Sequence, residues 1–160
     1  MPYEIPSKLV YPIEFKILDE TNIALVPIRV DAGMYTLRAP HEICIGTGDM
    51  REISMGIQIF IPEVLSFPIA DVKTPPVLAC HARLDPLFDV ITEKGIDLIA
   101  PRVLSSAYSS AGELKIIIKN ISGKNSKLNL GDPLIGLTFT VTPAIQLGLA
   151  PSLARKDYSI

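Results

Sequence analysis

The sequence contains no tryptophan, and only two cysteines and two histidines in 160 residues. Two thiols are too few for a disulfide scaffold, and Cys44 and Cys80 have no metal-site spacing. His41 stands close to Cys44, and His81 is next to Cys80, which leaves open a site joining the two pairs. Buried, reduced thiols are the simpler reading, so no metal ligand is assigned and an intracellular setting is expected. Long apolar runs are also missing. None approaches the roughly 20 residues that span a bilayer, and Met1-Pro2-Tyr3-Glu4-Ile5-Pro6 lacks the charged start and apolar stretch of a secretion signal. Clustered positive charge is scarce as well. Lys and Arg number 15 against 17 Asp and Glu, a formal net charge of −2, and the longest basic run is Arg155-Lys156. Nucleic acid and anionic membranes both need a concentrated basic surface, so neither is expected as a partner.

Unbroken stretches suited to long helices are lacking too. The 14 prolines and 10 glycines are spread from end to end and bound short runs rich in Val and Ile. Ile53, Met55, Ile57, Ile59 and Ile61 alternate with Ser54, Gly56, Gln58 and Phe60, the period of a half-buried strand. Leu114–Asn120 and Pro133–Val141 read as strands, as do Ile23–Val30, Tyr35–Leu37 and Ile96–Ile99. Strands at this spacing predict an all-β sandwich, jelly roll or barrel. One short helix is expected over Leu87–Lys94, where Leu87, Val90 and Ile91 share a face and Gly95 can cap the end. No repeat or linker divides the chain. Residues 1–150 are expected to form one domain, with 151–160 as a tail.

Several of these segments, in this order, resemble the trimeric dUTPase family. Ala32-Gly33-Met34-Tyr35-Thr36-Leu37-Arg38-Ala39-Pro40 is similar to the family's opening Ala-Gly-x-Asp-Leu-x-Ala segment, with one extra residue. Met55-Gly56-Ile57-Gln58-Ile59-Phe60-Ile61-Pro62 resembles its Thr-Gly-Ile-x-Ile-x-Ile-Pro strand. Gly95-Ile96-Asp97, then Val103-Leu104-Ser105-Ser106-Ala107-Tyr108 and Gly112-Glu113-Leu114, resemble the central hairpin. Asn120 matches a later strand end, and Gly131-Asp132-Pro133-Leu134-Ile135-Gly136-Leu137 is similar to the Gly-Asp-x-Ile-x-Gln-Leu segment. The resemblance implies a dUTPase-like, β-clip or jelly-roll-like distorted barrel with at most one short helix.

It fails where the family does its chemistry. A general base and a Mg²⁺ ligand both require an ionised oxygen. The family's water-activating Asp falls on Ser105 or Ser106, the opening Asp on Tyr35 or Thr36, and the fourth-motif Gln on Gly136. Its Arg-Ser-Gly phosphate segment falls on Asp71-Val72-Lys73 or on Ala82-Arg83-Leu84, and neither has the serine. Residues 74–88 have no counterpart, and the Gly-rich C-terminal arm is missing. No catalytic residue is therefore assigned. Gly95, Ile96, Tyr108, Gly112 and Arg83 remain as relics of a nucleotide site, although a plain strand aromatic and a paired surface charge are the simpler readings of Tyr108 and Arg83. Tyr158-Ser159-Ile160 suits strand addition into a partner's peptide groove.

Three functions are weighed on this basis. The preferred one is a non-catalytic dUTPase-fold protein acting as a structural or interaction component with an unknown protein partner. It resembles the disarmed dUTPase relatives of large DNA viruses, adenoviral early-region proteins included, which implies a viral source. The first alternative is a divergent, Mg²⁺-dependent nucleotide pyrophosphatase drawing carboxylates from Asp71, Asp85, Asp89 or Asp97. The second is a small jelly-roll capsid or decoration protein. No cofactor is expected except Mg²⁺ under the first alternative. A homotrimer is implied by the resemblance, and a mean hydropathy of +0.36 agrees with apolar surface left over for an interface.

Overall fold

A computed structural model describes residues 13–31, 33–62, 64–66, 77–106 and 112–143. These segments are almost entirely β. The strands are β1 (Glu14–Ile17), β2 (Ile28–Asp31), β3 (Met34–Arg38), β4 (Ile43–Ile45), β5 (Met50–Ser54), β6 (Ile57–Phe60) and β7 (Val64–Ser66). They continue as β8 (Val77–Pro86), β9 (Ile96–Ala100), β10 (Val103–Leu104), β11 (Lys115–Asn120), β12 (Ser126–Leu128) and β13 (Pro133–Pro143). The main sheet runs β10-β8-β13-β3-β2, with β7 also on β8. A three-stranded sheet, β5-β11-β9, and the pairs β1-β6 and β4-β12 complete the set, every pairing antiparallel. The sheets wrap one core without closing into a regular barrel, the distorted-barrel class that the sequence implies.

Alternation decides which side chains enter that core. Leu114, Ile116 and Ile118 are buried from β11 and its lead-in, facing Ile53 and Ile57. Ile135 and Leu137 enter from β13, Ala82 and Leu84 from β8, and Leu37 from β3. Phe15, Tyr35 and Phe139 stack edge to face at one end, with centroids 5.4–6.0 Å apart.

Two strand expectations need correction. Ile53–Ile61 is two strands, β5 and β6, that join different sheets. Gly56 sits between them at φ +70°, and a Cβ there would lie 2.6 Å from Leu25 Cδ2, so only glycine lets the chain turn across that leucine. The alternation survives the break, and all five apolar residues of the expected face are buried. Ile23–Val30 is likewise not one strand. Ile23–Leu25 forms a 3₁₀ turn because the Asn22 side chain accepts the Ala24 N–H at 3.1 Å, and extended structure starts only at Ile28. The expected short helix is present as a single π-type turn, Val90–Lys94, closed by Gly95 at φ +64°.

A candidate site on the main sheet and the helix beside it

The register of the main sheet brings several of the resembling segments together. On one level, Thr36, Gly136 and Asp85 are neighbours across β3, β13 and β8. On the next, Met34, Thr138, Arg83 and Val103 form a row that reaches β10. Their core-facing neighbours Leu37, Leu137 and Leu84 are buried, so this row lies on the sheet's outer face. The opening segment, the fourth segment, Arg83 and the strand leading to Ser105 and Ser106 thus meet on one surface. It carries the hydroxyls of Thr36 and Thr138, the apolar Met34 and Val103, and the charged Arg83 and Asp85, with Asp31 of β2 in register with Met34 at the far end of the row. Arg83 donates from Nε to Asp85 Oδ1 at 2.9 Å, so the Asp85 carboxylate already holds a partner. Leu87 Cδ2 lies 3.5 Å from where a Cβ on Gly136 would stand, which puts an aliphatic side chain over the glycine that replaces the family's Gln. Thr140 Oγ1 and His81 Nε2 pair across the same face at 2.7 Å.

Gly95 and Ile96 do not join this surface. Ile96 begins β9 in the other sheet and Gly95 precedes it as the cap of the π-turn, and both are buried. A Cβ on Gly95 would lie 2.4 Å from Ser122 Cβ, so the glycine serves helix termination and close packing against the 121–125 loop. Asn120 holds that corner. It is fully buried; its Nδ2 donates to Ile45 O at 3.0 Å and Lys124 O at 2.8 Å, and its Oδ1 accepts Ser122 N–H at 2.9 Å and Ser122 Oγ at 2.7 Å. A buried amide with all four bonds made is structural. Gly112 stands at φ +104° with open space where a Cβ would be. The neighbouring Glu113 accepts the Gly56 N–H at 2.9 Å. Tyr108, Asp71 and Tyr158-Ser159-Ile160 lie outside the described residues.

The remaining titratable candidates are dispersed. Asp97 is 3.8 Å from Arg102, on the three-stranded sheet. Among the described residues, no three of His, Cys, Asp and Glu come together as a metal site. His41 and Cys44 each contact Glu42. The expectation of two buried thiols is half wrong: Cys80 is buried, and burial pushes its thiol pKa up, whereas Cys44 is exposed. Ile43 and Ile45 take the core-facing positions of β4, which turns Cys44 outward; the Ile-Cys-Ile alternation already carried that signal. Across from it, Lys127 Nζ binds Glu42 Oε2 at 2.9 Å, lowering the carboxyl pKa and raising that of the ammonium.

Sequence reasoning missed one feature. An open groove of about 550 Å³ lies between the π-turn and the 128–133 loop. Leu87, Val90 and Leu128 give it an apolar lining, and Phe88, Asp89, Glu93 and Asp132 stand around it. Asp89 and Glu93 are recognisable from the sequence as a solvated helix face, but nothing local in the sequence brings them beside Asp132.

No family model matches the chain, and no curated protein matches it. Solved structures do. The dUTPase of phage phi11 of S. aureus, in a mutant form coordinating a structural Mg(II) ion, is similar over 87% of this chain and 96% of its own, at 15% identity and a TM-score of 0.65. The dUTPase of Staphylococcus bacteriophage 80alpha covers the same shares at 13% identity and a TM-score of 0.65. EIAV dUTPase is 16% identical over 87% of this chain and 94% of its own, with a TM-score of 0.59. Together with the sheet order and the convergence of the four segments, these likenesses give the chain the fold of the dUTPases.

Proposed function

We propose that this chain is a non-catalytic protein of dUTPase fold that acts through its surface, as a structural or interaction component in a viral setting. The observation that carries the reading is the composition of the outer sheet face. The strand β10 leads to Ser105 and Ser106, where the resembling family has its water-activating carboxylate. A hydroxyl is neither base nor anion at neutral pH. Asp85, one of the carboxylates that could serve instead, is paired with Arg83. Phage dUTPases of this fold control transfer of virulence genes by a G protein-like mechanism, so the fold is compatible with work through protein contacts.

The domain is taken as residues 1–150 with a tail at 151–160, intracellular and without a cofactor. It is proposed to assemble as a homotrimer. In support, β2 is an outer strand of the described sheet, with all four residues exposed. Ile28 and Val30 there, with Ile23, Val26 and Met34 nearby, expose apolar side chains that a second copy would cover.

Hydrolysis of dUTP tests the reading. With Mg²⁺ at neutral pH no hydrolysis above buffer is expected, because the general base, whose loss alone costs about 10²–10⁴-fold, is missing together with the Mg²⁺-binding carboxylate and the phosphate-binding serine. Turnover that Asp85→Asn or Asp97→Asn abolishes would establish the Mg²⁺-dependent pyrophosphatase instead.

A further inference from the structure

The groove beside the π-turn has a chemistry of its own. Phe88 is 77% exposed, although phenylalanine is among the side chains that gain most from burial. It adjoins the buried Val90 and Leu128, so the exposed ring continues an apolar lining and is not an isolated surface residue. Three carboxylates, Asp89, Glu93 and Asp132, stand around the groove against one ammonium, Lys94. Asp132 spends one oxygen on the Asn129 N–H at 2.8 Å, fixing the 129–132 turn that forms one wall. On the opposite wall, the Thr92 hydroxyl donates to the Phe88 carbonyl at 3.0 Å and Gly95 caps the π-turn, so the element bearing Phe88 is held at both ends. The groove is half open to solvent and not enclosed, which admits an extended chain.

Resting on the reading of this protein as an interaction component, we propose that this groove is its docking surface. The occupant is a partner-protein segment that presents an aliphatic or aromatic anchor flanked by Lys or Arg. The anchor covers Phe88 and the apolar lining, and the basic flanks meet Asp89, Glu93 and Asp132. Buried aromatics at the centre and charges at the rim are the usual division of labour in a protein interface. The rim charges then govern association rate and salt dependence, and the anchor governs residence time.

The test uses the full-length chain, immobilised, as bait for a phage-displayed library of short random peptides. The expected result is enrichment of peptides carrying an apolar residue next to Lys or Arg. A synthetic peptide of the enriched sequence should lose about tenfold in affinity with Phe88→Ala, consistent with a central anchor. With Glu93→Lys its association should slow, and the salt dependence should weaken. Both positions are exposed, and unchanged far-ultraviolet circular dichroism confirms that the variants remain folded. The proposal is overturned if no sequence is enriched, if enriched peptides lack basic residues, or if both variants bind as the parent does. The chain's own Leu153-Ala154-Arg155-Lys156-Asp157-Tyr158 has the same chemistry. If only an Arg155→Glu, Lys156→Glu chain enriches such peptides, that tail is the occupant and the partner claim fails. None of these failures touches the absence of dUTP turnover, which is measured separately.

Discussion

Replacing Asn120 by leucine keeps the side chain's approximate size but removes the whole amide. In the parent, that amide makes four hydrogen bonds from a position with no exposed surface. Two of its partners have other bonds to fall back on. Lys124 O lies 2.8 Å from the Ser122 hydroxyl, whose one proton is freed to turn to it once Asn120 Oδ1 is gone. Ile45 O and Ser122 N–H lose their side-chain partner. An orphaned buried polar group costs about 1–3 kcal/mol, and Ser122 N–H, being only part-buried, falls at the low end. The sum is about 2–4 kcal/mol, a large share of a domain stability of roughly 5–15 kcal/mol. At roughly 2–4 °C per kcal/mol for a chain of this size, the melting temperature falls by about 5–15 °C. Guanidinium unfolding followed by circular dichroism reads the difference, with Ser122→Ala as a comparison expected to lose about 1 kcal/mol. A loss below about 1 kcal/mol for Asn120→Leu would refute the argument that the buried amide holds the corner of β11, β4 and the 121–125 loop.

In the native protein, Cys44 should react with a thiol reagent at mildly alkaline pH and Cys80 only after unfolding, because Cys80 is buried and its pKa is raised; equal rates would contradict the burial. Glu42 should titrate below its ordinary value of 4.5, an effect present above the unfolded pKa and lost as pH falls through the folded one. Carboxyl NMR should show the value returning to the ordinary range in Lys127→Ala. Light scattering coupled to size exclusion should give three times the 17.4 kDa of one chain at micromolar concentration, and a monomer mass would end the trimer proposal.

Much of the fold was legible because period-two alternation and turn chemistry are local. Ile116 and Ile118, or Leu134 to Leu137, announce their strands without reference to anything distant. The breaks were less legible. Gly56 reads as one more polar-face residue of a continuous strand until Leu25, 31 positions earlier in the chain, is found packed where its Cβ would stand. Asn22, which turns Ile23–Leu25 into 3₁₀ structure, is a local signal that the apolar run beside it masks. In the site, Arg83 and Gly136 were recognisable as segments, and the register places them two strand positions apart on one face. That Asp85 is already paired, and that Leu87 covers Gly136, depends on side-chain approach that no spacing encodes. Gly95 and Asn120, matched in the sequence as family-like residues, serve packing and backbone hydrogen bonding here. The groove around Phe88 depends on a contact between two segments some 40 residues apart, and no periodicity spans that distance.

Whether this fold keeps its architecture without the family's reaction is decided by a single-turnover measurement. The protein is held in excess over dUTP with Mg²⁺ at neutral pH, so that every nucleotide can meet a site and weak turnover accumulates over hours. The expected dUMP formation is indistinguishable from buffer and unchanged by Ser105→Ala and Ser106→Ala. Formation of dUMP at a rate proportional to protein concentration, lost on substitution of any single carboxylate, would contradict it.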